Sequence, residues 1–387
     1  MKRIYLDHAA TTPVEPRVVE AMLPYFHEVF GNPSSLHSIG QEARRAVENA
    51  REVIASFLAA KPEEIIFTSG GTESDNTAIK GVVSAMEEKG NHIITSAIEH
   101  HAVLETCKYL EKQGVHITYL KVDKTGLVDP DDVRRAITDK TVLISIMHAN
   151  NEIGTIEPIA DIGAIAHERG VLFHTDAVQS FGHLPINVNE MNVDLLSASA
   201  HKLYGPKGVG ILYVREGTRM FSFMHGGGQE RGRRASTHNV PGIAGLGKVV
   251  ELAGEIMEKE TIRLTSLRDK MIKGILDGIG DTVLNGHPVK RLPNNINVSI
   301  GYIEGETLLL NLDRMGIACA TGSACTSSAV EPSHVLAATG LSHDFIHGSL
   351  RLTLGRSTSQ EDIDYVLEVL PGIVDKVRSV STIKRSV

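Results

Sequence analysis

Short apolar runs alternate with segments of helical pattern through the first two-thirds of the chain. The stretches "EEIIFTSGGTESDNTAIKGVVSAMEEKG", "HIITSAIEHHAVLETCKYLEKQG" and "TVLISIMHANNEIGTIEPIADIGAIAHERG" each predict a strand, a turn and a helix. "VLFHTDAVQSFG" adds a strand, and "VDLLSASAHKLYGPKGVGILYVREG" predicts two strands around a basic loop. Such alternation is typical of right-handed βαβ units, so we predict an α/β fold with a mostly parallel sheet covered by helices on both faces.

The pattern changes in the last third of the chain. A glycine- and arginine-rich loop, "HGGGQERGRRASTHN", precedes a long helical segment that begins at "GIAGLGKVV". Beyond that segment, strands such as "NNINVSI" and helices such as "VLEVLPGIVDKV" predict a smaller α/β unit. We therefore predict a large domain over residues 16–255 and a small domain built from residues 1–15 and 256–387.

Composition and charge exclude several classes of protein. Of the 387 residues, 42% are hydrophobic and 22% charged, which is typical of a folded globular protein. The net charge of -8 argues against nucleic-acid and anionic-membrane partners, and neither a signal peptide nor a membrane span is predicted. Three cysteines, Cys107, Cys319 and Cys325, do not form the pattern of a disulfide framework. We expect a cytoplasmic protein.

Polar residues follow the apolar runs of the predicted sheet. In parallel sheets, ligands bind beyond the carboxyl ends of the strands, so these residues should share one site. The segments concerned are Thr68 to Glu73, Glu99 to His101, His148 to Asn151, Asp176 to Gln179, and Ser197 to Lys202.

One of these segments, "TSGGTES", suits an oxyanion. Its glycines allow close approach to the backbone, while helix-start amides and the hydroxyls of Thr72 and Ser74 can donate to phosphate. A capped helix after a tight turn would give the same pattern.

Three further residues at strand ends match the needs of one cofactor. Lys202 can form a Schiff base with a carbonyl, Asp176 can pair with a pyridine nitrogen, and His100 can lie against a flat ring. Alone, each has an ordinary alternative: a solvated lysine, a helix-capping aspartate and a packing histidine. Together with the phosphate-type turn, they predict pyridoxal 5′-phosphate.

Two more residues carry candidate chemistry. Arg356, in "RLTLGRSTSQEDID", could bind a substrate carboxylate through two hydrogen bonds, or could pair with Glu361 or Asp362. Cys325 lies among small residues in "CATGSACTSS", where a thiol is accessible. No HExxH or CxxC spacing is present, so no structural zinc site is predicted.

Motifs spread along the chain resemble those of the cysteine desulfurases of the NifS/IscS-like branch. They include "YLDHAATTPVEP", "FTSGGTESDN", "EHHAVLE", "HTDAVQS", "SAHKLYGPKGVG", "GSACTS" and "RLTLGR", in the family's order from about residue 3 to about residue 370. One departure is "RAST" at residues 234–237, where the family has "RSGT". The resemblance implies the type I pyridoxal-phosphate fold of class V aminotransferases.

The resemblance also implies roles for individual residues. Catalysis would fall to Cys325, Lys202 and His100, and the substrate carboxylate to Asn151 and Arg356. The implied cofactor-binding residues are Gly71, Thr72, His100, Asn151, Asp176, Gln179, Ser199, Ala200, His201, Lys202 and Thr237, the last reaching into the other subunit of a homodimer.

The activity implied is conversion of L-cysteine to L-alanine with sulfur held as a persulfide on Cys325. That sulfur would serve iron–sulfur cluster assembly through a scaffold protein, or tRNA thiolation. No metal is expected in the isolated enzyme, although Cys325 could be a transient iron–sulfur ligand shared with a scaffold. The alternatives are a selenocysteine lyase or an aminotransferase on the same scaffold, and a non-catalytic docking platform.

Overall fold

The computed structural model describes residues 3–322, 332–381 and 383. Its strands are β1 (Ile4–Tyr5), β2 (Ile65–Thr68), β3 (His92–Ser96), β4 (His116–Leu120), β5 (Thr141–Ser145), β6 (Leu172–Asp176), β7 (Leu195–Ser199), β8 (Gly210–Val214), β9 (Gly228–Gln229), β10 (Arg234–Ala235), β11 (Thr282–Leu284), β12 (Asn295–Ile300), β13 (Ile317–Ala318) and β14 (Ser349–Thr353).

The α-helices of the described residues range from one turn to more than ten. They are α1 (Pro16–Met22), α2 (Pro24–His27), α3 (Ser38–Leu58), α4 (Gly71–Ala85), α5 (His101–Glu111), α6 (Pro130–Ala136), α7 (Ile159–Glu168), α8 (Val240–Gly278), α9 (Gly305–Arg314), α10 (His334–Ala338), α11 (His343–Ile346) and α12 (Gln360–Val380). None of the helices in this part of the chain is both long and apolar enough to cross a membrane.

The largest sheet has seven strands in the order β2-β8-β7-β6-β5-β3-β4. Strands β4, β3, β5, β6 and β7 pair in parallel, whereas β8 is antiparallel to both β7 and β2. The predicted α/β class with a mostly parallel sheet is confirmed. Because every strand except β8 runs the same way, their carboxyl ends meet at one edge.

Helices cover both faces of this sheet. Successive side chains of a strand point to opposite faces, and here the side chains on both faces are apolar. Phe67, Ile94 and Leu196 pack on one face into a core with residues of α3, α7 and α8. Their sequence neighbours, such as Ile66 and Ile93, pack on the opposite face with residues of α4 and α5. Burial on both faces explains why these strands are apolar at successive positions.

A second core lies around the three-stranded antiparallel sheet β11-β12-β14. It gathers residues of β12, β14, α9 and α12 together with Ile4 and Leu6 from the start of the chain. The 39-residue helix α8 joins the two cores, because its first half packs into the large core and its second half into this one. The predicted domain boundary at residue 255 lies inside α8 and stays a prediction.

Candidate active site

A cavity of about 320 Å³ lies where the carboxyl ends of the parallel strands meet. It brings together most of the residues that the sequence placed at strand ends. The predicted residues that line it are Gly71, Thr72, His100, Asn151, Asp176, Gln179, Ser199, His201 and Lys202. Their convergence matches the rule that ligands bind at this edge of a parallel sheet.

The N-terminus of α4 forms one end of the cavity. Its N-cap, Gly70, has a φ of 152° and no side chain, so no side chain caps the first amides of the helix. A Cβ on Gly71 would lie 2.6 Å from Val178 Cγ2, so glycine is needed at that close approach. Helix-start amides without a side-chain cap, beside the Thr72 hydroxyl, fit a phosphate group. Ser74 differs from the prediction, because it is fully buried and its hydroxyl donates to Ile211 O.

Lys202 ends a short 3₁₀ turn, Ala200–Lys202, that follows β7 directly. Its Nζ donates to the carbonyl oxygens of Ala9 and Ala10, at 2.5 and 2.8 Å. The backbone oxygen of Lys202 lies 3.1 Å from His183 Nε2. The segment before α1 therefore lines the cavity and holds the ammonium group through two carbonyl oxygens.

Two buried carboxyl groups lie on the floor of the cavity. Asp176 ends β6, and its Oδ1 accepts from Val178 N at 2.8 Å. Burial raises the pKa of Asp176, and burial together with the Asp176 charge raises the pKa of Asp75 well above its usual range. Asp75 Oδ1 has no hydrogen-bond partner among the described residues. A cationic ring nitrogen placed here would stabilise the ionised form of such a group.

Burial favours the neutral form of both predicted histidines of the cavity. Burial, followed by the positive charge of Lys202, lowers the pKa of His100 to about 4. Its Nδ1 accepts from Ala102 N at 3.1 Å, capping α5, so the remaining proton is assigned to Nε2. Burial also lowers the pKa of His201 to about 4, and its Nδ1 lies 3.1 Å from Thr11 Oγ1.

Three predicted residues are absent from the described lining of the cavity. Ala200 is fully buried and its amide donates to Val209 O, so that amide does not face a ligand. Thr237 is exposed at the end of the glycine-rich loop. Arg356 packs its guanidinium 4.2 Å from the Tyr204 ring centroid and pairs with Glu15 at 3.2 Å. The structure thus places Arg356 away from the predicted substrate contact.

Arg351 lines the cavity instead, from the middle of β14. Its guanidinium donates to Asp7 Oδ1 at 3.0 Å and to Asn151 O at 3.1 Å, while its buried Nε has no hydrogen-bond partner among the described residues. The sequence did carry a signal for it, since arginine is rare in a fully buried strand. The cavity residues outside the segments that sequence analysis singled out are Ala9, Ala10, Asp75, Met147, Glu152, Gly322, His334 and Arg351.

Glu152 shares this side of the cavity with Arg351. Burial raises the pKa of Glu152 to about 7, against the opposing effects of the Ser333 hydroxyl and the Arg351 charge. Ser333 Oγ donates to Glu152 Oε2 at 2.5 Å. Cys325 itself lies outside the described residues, between Gly322 and Ser333 in sequence.

Comparison with known proteins gives one consistent family. The profile of the family described as "Aminotransferase class-V" matches residues 4–366. "Cysteine desulfurase IscS" of Dictyoglomus turgidum is 58% identical over 386 residues, covering 100% of this chain and 98% of that protein. The protein of the same name from Methanosarcina thermophila is 59% identical over 380 residues, covering 98% and 94%.

Solved structures agree with these relatives. A structure described as "NIFS-LIKE PROTEIN" is 40% identical with a TM-score of 0.91, covering 97% of this chain and 100% of that one. "SspA in complex with cysteine" is also 40% identical, with a TM-score of 0.79 and coverage of 91% and 99%. The resemblance inferred from the motifs is confirmed: this chain belongs to the class-V aminotransferase family, in its branch of NifS/IscS-like cysteine desulfurases, which depend on pyridoxal phosphate.

Proposed function

We propose that this cysteine desulfurase converts L-cysteine to L-alanine and keeps the released sulfur as a persulfide on Cys325. The observation that supports the proposal most is the meeting of Lys202, Asp176 and the uncapped N-terminus of α4 in one cavity. Pyridoxal phosphate needs an amine for its carbonyl, an acid for its ring nitrogen and donors for its phosphate. When bound, it supplies an electron sink for chemistry at the substrate carbons.

Each cofactor contact follows from the position of a side chain. The α4 amides, Thr72, Ser199 and His201 would hold the phosphate, because these residues line the cavity and Ser199 Oγ lies only 3.7 Å from the position of a Cβ on Gly70, the N-cap of α4. Asp176 would hold the ring nitrogen, and its burial makes that charge pair strong. Neutral His100 would lie against the ring, with Gln179 and Asn151 at its edge.

Arg351 replaces Arg356 as our proposed ligand of the substrate carboxylate. Its guanidinium lies in the cavity wall, and its buried Nε leaves a donor for an incoming acceptor. Asn151 lies beside it, since Arg351 donates to its backbone oxygen. A carboxylate bound there would be anchored by residues other than those proposed for the phosphate.

The proton steps need a base and a carrier. Lys202 Nζ would take the proton from the substrate Cα, and neutral His100 could carry a proton through its imidazole. The Cys325 thiolate would then form a bond to the substrate sulfur as the bond between sulfur and Cβ breaks. The electron pair of the broken bond stays with the substrate, which takes up protons to become alanine.

We also propose a homodimer whose partner contacts include Thr237. Phe26, Phe30 and Leu36 are 61%, 67% and 92% exposed, so this short segment concentrates apolar surface that a partner could cover. The same region touches the loop that carries Thr237, through a hydrogen bond of 2.7 Å between Ser34 Oγ and Gln229 Oε1. A second copy could cover these apolar side chains and bring Thr237 to its own cavity.

The destination of the sulfur completes the proposal. A persulfide is a carrier, so we propose delivery to an iron–sulfur scaffold protein, with a tRNA-thiolation carrier as the other acceptor. Among the residues that the structure describes, Cys107 and Cys319 form no disulfide, which supports our proposal of a reducing cytoplasmic setting.

The proposal is tested by incubating the cofactor-loaded protein with L-cysteine and measuring alanine. Cys325→Ser should keep the cofactor absorbance and lose alanine release, since only the acceptor thiol is removed. Cys319→Ser is the matched control and should keep both. Unimpaired alanine release by Cys325→Ser would contradict the role of Cys325, and a keto acid in place of alanine would indicate an aminotransferase.

A further inference from the structure

Tyr204, two residues after Lys202, has an unusual backbone conformation. Its φ is 72°, in the left-handed region that a bulky L-residue rarely adopts. The side chain is 6% exposed, so it is held within the protein. A residue stays in such a conformation only when surrounding contacts fix it, and such residues concentrate at functional sites.

Contacts from two distant parts of the chain fix Tyr204. Its amide donates to Thr12 Oγ1 at 2.8 Å, and its carbonyl accepts from Glu15 N at 3.0 Å. Its hydroxyl accepts from Arg356 N at 2.6 Å. The Arg356 guanidinium lies 4.2 Å from the centre of the ring and reaches Glu15 Oε2 at 3.2 Å. These contacts connect the Tyr204 side chain to Arg356, Arg356 to Glu15, and Glu15 back to the Tyr204 carbonyl.

The same contacts are coupled to Lys202. Residues 200–205 form one tight turn, in which Gly205 N donates to Ala200 O at 2.9 Å. Thr12, which accepts from Tyr204, also donates its hydroxyl to His201 O at 2.9 Å. The chain segment that contacts Tyr204 begins only a few residues after Ala10, whose carbonyl accepts from Lys202 Nζ. A shift of Tyr204 would therefore move both the turn that carries Lys202 and the carbonyl that holds its ammonium group.

We propose that Tyr204, Arg356 and Glu15 form a clamp that sets the position of the Lys202 amine. This inference rests on the proposed function of Lys202. Arg356 then acts on the reaction through Tyr204, and not by touching the substrate. Two observations favour this role: its guanidinium is already engaged by the Tyr204 ring and Glu15, and it is absent from the described lining of the cavity.

The test uses substitutions that remove separate parts of the clamp. Tyr204→Gly allows the left-handed backbone but removes ring and hydroxyl, Tyr204→Phe removes the hydroxyl alone, and Arg356→Gln removes the charge. Tyr302→Gly is the matched control, because Tyr302 also has a left-handed φ, 66°, but packs near Phe345 and not near Lys202. The readouts are kcat and KM for L-cysteine, and the rate at which apoprotein gains the lysine-linked absorbance of added pyridoxal phosphate.

The clamp predicts a loss in kcat with KM nearly unchanged. Tyr204→Gly and Arg356→Gln should lower kcat about tenfold and slow the absorbance gain similarly, because a small misplacement of a reacting group costs one to two orders of magnitude. The kcat and the absorbance rate of Tyr204→Phe should lie between those of these variants and those of the wild type. Tyr302→Gly should match the wild type in both readouts.

Two results would overturn the clamp. One is Arg356→Gln raising KM while kcat and the absorbance rate stay unchanged, which would make Arg356 a substrate ligand. The other is Tyr204→Gly behaving like Tyr302→Gly. If thermal unfolding shows that Tyr204→Gly is not folded, Arg356→Lys takes its place, since it keeps the charge beside Glu15 but loses planar stacking. A kcat and an absorbance rate equal to those of the wild type would then overturn the clamp. The absorbance rate needs no substrate turnover, so it tests the clamp even if the wild type releases no alanine.

Discussion

The seven-stranded and three-stranded sheets contribute to one cavity in different ways. The large sheet supplies groups that follow its strands, such as Thr72, His100 and Lys202. The small sheet supplies Arg351 from within β14. In our proposal, the first region binds the cofactor and the second binds the substrate carboxylate. The cavity that both regions line could then hold the cofactor and the substrate next to each other.

The largest expected effect comes from the large-sheet region. Lys202→Ala removes the amine that the cofactor carbonyl needs, so the lysine-linked absorbance should be absent and alanine release should fall at least about a thousandfold. Lys61→Ala is the control, because Lys61 is an exposed lysine that pairs with Glu216 and is absent from the described lining of the cavity. Spectra and alanine assays of the two variants check the prediction. Equal losses in both would contradict a specific role for Lys202.

The small-sheet region should show the opposite kinetic pattern. Arg351→Gln removes a buried charged donor, so KM for L-cysteine should rise about 10- to 100-fold, the usual cost of a hydrogen bond to a charged group. The cofactor absorbance should remain, since its proposed contacts come from the large sheet. Steady-state kinetics and spectra on one preparation check this. A variant that loses the absorbance while KM is unchanged would break the proposed division between the two sheets.

A smaller effect should appear in the pH dependence of KM. Glu152 has a raised pKa of about 7, so its carboxyl is neutral below that pH and ionised above it, where it competes for Arg351. The wild-type KM should therefore rise through about pH 7 relative to that of Glu152→Gln, by about fivefold for a partly screened charge.

Ser333→Ala sharpens the same measurement. The Ser333 hydroxyl stabilises the ionised form of Glu152, so its removal should move the midpoint of the KM change to higher pH. A midpoint common to Glu152→Gln, Ser333→Ala and wild type would assign the titration to another group.

What the sequence predicted differs between the two regions for a physical reason. Alternating strand and helix patterns define a parallel sheet, and its topology places residues such as Asp176 and Lys202 at a common edge without knowledge of tertiary contacts. The antiparallel direction of β8 was not predicted, although residues 200–209 are too few for a usual parallel crossover.

Arg351 and Arg356 show where such reasoning stops. Both occur in "RLTLGR", five residues apart, and either could bind a carboxylate by its chemistry. Only their tertiary contacts distinguish the two arginines. Arg351 extends from β14 into the cavity wall, while Arg356 follows the strand and contacts Tyr204 and Glu15. Those partners come from chain segments more than 150 residues away, since Tyr204 lies 152 positions earlier. A local pattern carries no information about them.

The most direct test is a single turnover of the cofactor-loaded wild type with an equal amount of L-cysteine. Alanine is quantified, and the peptide that contains Cys325 is weighed by mass spectrometry without reductant. The predicted result is one alanine formed for each sulfur atom added to that peptide. Alanine formed with no added sulfur on Cys325, or a keto acid formed in its place, would contradict the proposed reaction.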